Sequence, residues 1–256
     1  NSNKKGRTAL IPFITIGFPT IDSTVPIVKN LEENGADVIE LGIPFSDPLA
    51  EGLTIQKSSQ IALKNGVNLN KCLEIVKKIR SEGVKTPLVY MGYYNPILNY
   101  GIDEFSKAAS NAGVDGIIVP DLPYEESGPL HDSCVQYGLN FIPLLAPTST
   151  NARIAQSCEI AGGFVYCVSI TGVTGARDEL PEGLDAFIAR VKAHTALPLA
   201  VGFGISKRYQ VESLSQGAQA AVVGSALINL IRESEDSIRE TAVKNFVMDL
   251  KGTLTT

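Results

Sequence analysis

The sequence predicts a closed (β/α)8 barrel, the TIM-barrel class of α/β fold, on three observations. Eight short apolar runs recur along the chain, amphipathic helical stretches separate them, and no linker or shift in composition divides it. The runs fall at 9–16, 38–43, 87–93, 116–119, 141–145, 164–168, 197–201 and 220–223. Most are continuously hydrophobic rather than alternating, the pattern of parallel strands covered on both faces. Between them, "STVPIVKNLEENG" (23–35), "LNKCLEIVKKIRSEG" (69–83), "IDEFSKAASNAG" (102–113) and "GLDAFIARVKAH" (183–194) place apolar residues at helical spacing. Ser23 and Asn70 are the expected N-caps, and the glycines that end the first three stretches are the expected C-caps. With 256 residues and 44% hydrophobic content, residues 1–256 are expected to form one domain. A dinucleotide fold would need GxGxxG after the first strand, and "TIGFPTID" lacks it.

Composition narrows the chemistry. Lys and Arg number 22 against 27 Asp and Glu, a formal charge of -5, and no basic stripe interleaves with aromatics, so no nucleic-acid partner is expected. The four cysteines, Cys72, Cys134, Cys158 and Cys167, form no CxxC pair, which argues against zinc and against a disulfide framework. No signal peptide precedes the first strand and no run reaches the ~18 apolar residues of a membrane span, so no membrane association is expected. These features read as cytoplasmic. His131 and His194 fall in or beside helices away from the loops and carry no case for metal or His catalysis.

Barrel chemistry sits at the C-terminal ends of the strands. The loops after the second and sixth strands, "PFSDPLAEGLT" (44–54) and "SITGVTGARDELPEG" (169–183), are the longest and richest in Gly, Pro and acids. Glu40 interrupts the second apolar run. If Ile39 and Leu41 pack against helices, Glu40 faces the barrel interior, where burial raises its pKa as a proton donor requires. Glu51 and Asp47 on the following loop, and Asp121 beyond the fourth strand, are candidates for a second carboxylate. "VGFGIS" (201–206) and "VVGSALI" (222–228) close the seventh and eighth strands. The amides freed by Gly202, Gly204 and Gly224, the Ser225 hydroxyl and a helix N-terminus make an anion site where barrels commonly hold phosphate, with Gly175 adding a further N–H. Phe13, Tyr93, Ile118, Leu145, Tyr166 and Phe203 offer an apolar lining for a flat aromatic ligand.

Together these motifs resemble the tryptophan synthase α subunit family. "ALIPFITIGFP", "IELGIPFSDPLAEGLTIQ", "YYNPILNYG", "VPDLPYEES", "YCVSITGVTGAR", "VGFGIS" and "VVGSALI" occur in the family's order and spacing over essentially the whole chain. The resemblance implies a (β/α)8 barrel that cleaves indole-3-glycerol phosphate into indole and glyceraldehyde 3-phosphate, a lyase of aromatic amino-acid biosynthesis. It needs no cofactor of its own, and it passes indole to a PLP-dependent β subunit in an α2β2 heterotetramer. It implies Glu40 as the catalytic glutamate and Glu51 where the family usually has an aspartate on the indole N–H, in "AEGLT" rather than "ADGPT". The phosphate contacts match Gly175, Gly204, Gly224 and Ser225, and the indole pocket matches Phe13, Tyr93, Ile118, Tyr166 and Phe203. Thr174 matches the threonine of the loop that closes over substrate, and Asp47, Pro48, Asn95, Asn99 and Pro123 match positions facing the β subunit. The longer Glu51 predicts weak activity alone and rescue by the β subunit. The family's leading helix is expected to be absent or truncated, and a plastid location follows if the chain derives from a plant precursor. Two alternatives remain open: a catalytically weak barrel that mainly binds and activates the β subunit, and another phosphate-binding barrel enzyme.

Overall fold

The computed structural model describes residues 7–168, 183–202, 204–214 and 217–254. Nine parallel strands form one sheet: β1 (Ala9–Thr15), β2 (Ile39–Gly42), β3 (Leu88–Met91), β4 (Gly116–Ile118), β5 (Asn140–Phe141), β6 (Leu144–Leu145), β7 (Val165–Val168), β8 (Leu199–Gly202) and β9 (Ala220–Val223). Their order is β5-β4-β3-β2-β1-β9-β8-β7-β6. The fifth predicted run is therefore two pieces. Pro143 has no N–H to give a ladder, so the run breaks there. β5 pairs with β4, and β6 pairs with β7. The break does not open the barrel, because the Ile142 N–H donates to the Ile117 carbonyl and the Tyr166 N–H to the Pro143 carbonyl, each at 3.0 Å. Backbone from 140 to 145 thus bridges β4 to β7 and closes the wall.

Alternation sorts the side chains into two layers. Ile11, Val89, Ile118, Ile142, Tyr166 and Val222 cluster inside the barrel. Ile14, Leu41, Tyr90 and Ile117 belong to the larger core under the helices, each at most 1% exposed. Burying an aliphatic side chain this completely contributes roughly 1.5–3 kcal/mol. Leu145 joins the outer layer, which corrects its expected place in the lining. Its neighbour Leu144 pairs with inward-facing Tyr166, so the alternation turns Leu145 outward.

The helices follow the strands in register with the chain. α1 (Thr24–Glu33) follows β1; α2 (Leu53–Lys64) and α3 (Leu69–Ser81) follow β2; α4 (Tyr94–Tyr100) and α5 (Ile102–Ala112) follow β3. A 3-10 turn (Tyr124–Glu126) and α6 (Gly128–Gln136) come after β4, α7 (Asn151–Glu159) after β6 and α8 (Leu184–Lys192) after β7. α9 (Arg208–Ser213) follows β8, while α10 (Ser225–Glu233) and α11 (Arg239–Lys251) end the chain. Two expected caps differ. Asn68, not Asn70, caps α3, its side chain accepting the Lys71 N–H at 3.0 Å, because Asn70 already lies within the first turn. Ser23 stands at the N-cap of α1, but its hydroxyl bonds back to Thr20 rather than to the helix. Among the described residues no helix is long and apolar enough to cross a membrane.

Candidate active site

Register carries Glu40 to the mouth of the barrel. It pairs with Phe13 on one side and with Val89 on the other, and Val89 is part of the interior cluster, so the row Phe13–Glu40–Val89 points inward. Glu40 is 1% exposed, and neither carboxyl oxygen has a hydrogen-bond partner among the described residues. Desolvation, with the nearby charge of Glu51 added, raises its pKa to about 8. A carboxyl in this state is protonated at neutral pH and has a proton with no structural claim on it.

Glu51 reaches the same space from the loop after β2. It is 6% exposed, and burial raises its pKa to about 7. The narrow cleft around it is walled by Phe13, Ile43, Pro48, Ile55, Met91 and Tyr93. Two small residues make this wall possible. A Cβ on Gly42 would fall 2.5 Å from the Phe13 ring, and one on Gly202 would fall 2.4 Å from the Tyr166 hydroxyl. Both rings can lie across the strands only over a glycine. Tyr166 is buried, and that burial, followed by the charges of Glu40 and Glu51, holds its phenol well above the ordinary range. It stays a hydroxyl.

The anion-binding candidates sit just after β8 and β9, and β9 lies directly beside β1. Gly224 precedes α10 and Ser225 opens it, with Ser225 5% exposed. The first N–H to bond within the helix is that of Ile228, to the Gly224 carbonyl at 3.0 Å. The amides of Ser225, Ala226 and Leu227 are therefore directed off the helix end, where the dipole also favours an anion. Gly204 has φ +73, a left-handed conformation that suits a glycine turning the chain after β8. The same turn is held by Gln210, whose side-chain oxygen accepts the Ser206 and Lys207 amides at 2.8 and 2.9 Å.

The structure thus brings Phe13, Glu40, Glu51, Tyr93 and Tyr166 to the barrel mouth and Gly204, Gly224 and Ser225 to late loops of the same face, with Gly224 against Phe13 and Ile55. Ile118 belongs to the interior cluster and is fully buried. Thr174, Gly175 and Phe203 lie outside the described residues. Of the expected partner-facing positions, Asp47, Asn95, Asn99 and Pro123 are exposed, whereas Pro48 is buried in the wall beside Glu51. Asp121 is not a free second carboxylate, since it accepts the Tyr94 N–H at 2.9 Å. Sequence reasoning missed Gly42 and Ile55. A glycine at the end of an apolar strand was the available sign for the first. Among the described residues no group of three or more His, Cys, Asp or Glu is placed to hold a metal.

A parallel barrel with two desolvated acids and a neighbouring set of backbone anion donors at its mouth defines a phosphate-substrate enzyme of the acid–base class. The comparisons give the family. The model of the tryptophan synthase alpha chain matches residues 1–254. The tryptophan synthase alpha chain of Roseiflexus castenholzii is 49% identical over 247 residues, covering 96% of this chain and 95% of that one. Among solved structures, the tryptophan synthase α2β2 complex of Pyrococcus furiosus matches with TM-score 0.89 at 42% identity, covering 95% of this chain and 98% of that one. Mycobacterium tuberculosis tryptophan synthase matches with TM-score 0.90 at 34% identity, covering 98% and 94%. The chain belongs to the tryptophan synthase α-chain family, lyases acting on indole-3-glycerol phosphate.

Proposed function

We propose that Glu40 and Glu51 divide the acid–base work of a retro-aldol cleavage of indole-3-glycerol phosphate, with the phosphate held at Gly204, Gly224 and Ser225. An aromatic carbon is a poor leaving group until it is protonated. Glu40 delivers a proton to C3 of the indole, which places positive charge on the ring N–H, and ionised Glu51 steadies that charge. The Glu40 carboxylate then takes the proton of the hydroxyl on the adjoining side-chain carbon. The C–C bond breaks, its electrons restore the aromatic ring, and the side chain leaves as glyceraldehyde 3-phosphate. The rings of Phe13, Tyr93 and Tyr166 receive the indole. No step calls on a metal or organic group from this chain.

The observation that carries this reading is Glu40: fully buried, without a hydrogen-bond partner for either oxygen, and shifted to about 8. A structural carboxylate in that position would be expected to find a partner. The Pyrococcus furiosus structure is of an α2β2 complex described in terms of mutual activation. We assign the same kind of partner, a PLP-dependent β subunit, to the exposed face of Asp47, Leu49, Asn95, Leu98, Asn99 and Pro123. Leu49 is 89% and Leu98 53% exposed there, an apolar cost that a covering partner would relieve. The test is indole release from indole-3-glycerol phosphate, with and without β subunit, by the wild type and Glu40→Gln. Release that disappears in the variant supports the enzyme reading. Release that persists in it overturns Glu40 as donor, and stimulation of the β reaction with no indole release at all makes the chain a binding module. The wild-type rate is expected to peak between about pH 7 and 8, falling below as Glu51 takes up a proton and above as Glu40 loses its own.

A further inference from the structure

We propose that Tyr93 is a positioning residue that holds the loop after β2 shut, so that Glu51 points into the barrel, and that Asp121 anchors Tyr93 in turn. This rests on the reading of Glu51 given above. The ring of Tyr93 has an obvious use as part of an apolar wall, and a phenylalanine would serve that use equally. The hydroxyl has a separate one: it accepts the N–H of Ala50, the residue before Glu51, at 3.0 Å. The ring meanwhile stacks on Phe45, at the start of the same loop, with centroids 5.0 Å apart and planes 23° from parallel. One side chain therefore grips both ends of the loop. Between the grips the backbone turns tightly, the Leu49 N–H donating to Asp47 at 2.8 Å and the Glu51 N–H to Pro48 at 3.0 Å. That turn sends Leu49 outward and Glu51 inward.

Tyr93 is itself fixed from behind. It is the N-cap of α4, in extended conformation, and the first amide of that helix, Tyr94, donates to the Asp121 carboxylate. Asp121 belongs to the loop after β4, so the position of Glu51 depends on three successive barrel loops. A cap of this kind favours the helix start through both the hydrogen bond and the dipole. The charged and titratable groups that reach Glu51 across the cleft are Glu40 from β2 and the phenols of Tyr93 and Tyr166. None of them can substitute for the grip on Ala50, because that grip acts on backbone.

The experiment is Tyr93→Phe, which removes one oxygen and leaves the ring, read in the α chain alone and in its complex with β subunit. Without the acceptor, Ala50 amide exchange is expected to rise about tenfold or more. The Glu51 carboxyl, followed by carbon NMR, is expected to titrate about one unit lower as water reaches it. The kcat of indole release is expected to fall about tenfold with KM within about twofold of wild type, since the ring contact is kept while the acid is misplaced. Asp121→Ala should move all three readouts in the same direction, and Asp121→Asn, which keeps an acceptor, should restore them. Wild-type exchange at Ala50 and wild-type titration of Glu51 in Tyr93→Phe would overturn the proposal, even if kcat fell. Glu40→Gln run beside it separates the two readings: if that variant stays active, the catalytic reading fails whatever Ala50 does, and if it is dead while Tyr93→Phe behaves as wild type, only the positioning role fails.

Discussion

The two ends of the site, which meet where Gly224 lies against Phe13 and Ile55, solve opposite electrostatic problems. At the acid end, β2 and its loop hold two carboxyl side chains out of water, which makes protonated Glu40 available near pH 8 and leaves Glu51 close to half ionised near pH 7. At the other end, β9 and α10 offer an anion only backbone amides and the Ser225 hydroxyl, groups that do not titrate. One end is tuned by burial and sensitive to pH, while the other is set by geometry and indifferent to it. The difference shows where this fold stores its cost. A desolvated carboxyl opposes folding, whereas a helix N-terminus has its dipole whether or not a phosphate is bound.

Glu40→Gln probes that contrast most sharply. Removing the proposed proton donor is expected to lower indole release by roughly 10²–10⁴-fold, the usual contribution of general acid–base catalysis. The same variant is expected to be more stable than wild type in alkaline solution. Below pH 4.5, the ordinary value for the group, folded and unfolded chains both hold the Glu40 proton, and the replacement gains nothing. Between there and about pH 8 the unfolded chain loses a proton that the folded chain keeps. Wild-type stability then declines by about 1.4 kcal/mol per pH unit from this group, levelling off above its folded value. Thermal melts should show Glu40→Gln higher by about 5 °C or more at pH 8 and level with wild type at pH 4. Equal melting at both values would mean that Glu40 is hydrated, and the contrast between the two ends would collapse.

Gly202→Ala tests the seam between the ends. The added methyl would sit 2.4 Å from the Tyr166 hydroxyl and 3.0 Å from two of its ring atoms, so the ring must shift. Indole release is expected to fall by about 10- to 100-fold. Adding Tyr166→Phe should recover part of that, since it removes the worst contact but not the ring. Recovery to full activity would show that the ring has room the structure does not give it. The smallest effect belongs to the anion end. Ser225→Ala removes one neutral hydrogen bond of about 0.5–1.5 kcal/mol, which is a KM raised by about two- to twelvefold with kcat unchanged. A comparable fall in kcat would mean that Ser225 acts on the reacting carbon rather than on the phosphate.

Much of this molecule was legible in advance for an elementary reason. Parallel strands buried on both faces must be apolar at nearly every position, so an acid such as Glu40 inside one is conspicuous, and alternation alone turns it inward once Ile39 and Leu41 face the helices. Gly202 and Gly204 at the end of β8 and Gly224 after β9 were equally visible, because a turn and a helix start each leave a mark of a few adjacent residues. Where local marks competed, the reading slipped. Asn68 and Asn70 both suit a cap and only the helix start chose between them, and a single proline divided one apolar run into β5 and β6, reversing the face of Leu145.

What no local pattern contained is the set of partners between residues far apart in the chain. Nothing in "YYNP" or "VPDLP" says that Asp121 holds the first turn of α4, or that the phenol of Tyr93 reaches the amide of Ala50. Pro48, read as facing a partner, turns out to be wall beside Glu51. The strand that carries Glu40 and its inward face were determined by the sequence alone, because they follow from burial and period. The depth of Glu51, its pKa and the grip on its loop were decided only when β2, β3 and β4 came side by side, because hydrogen bonds and desolvation depend on distances that closing the barrel creates.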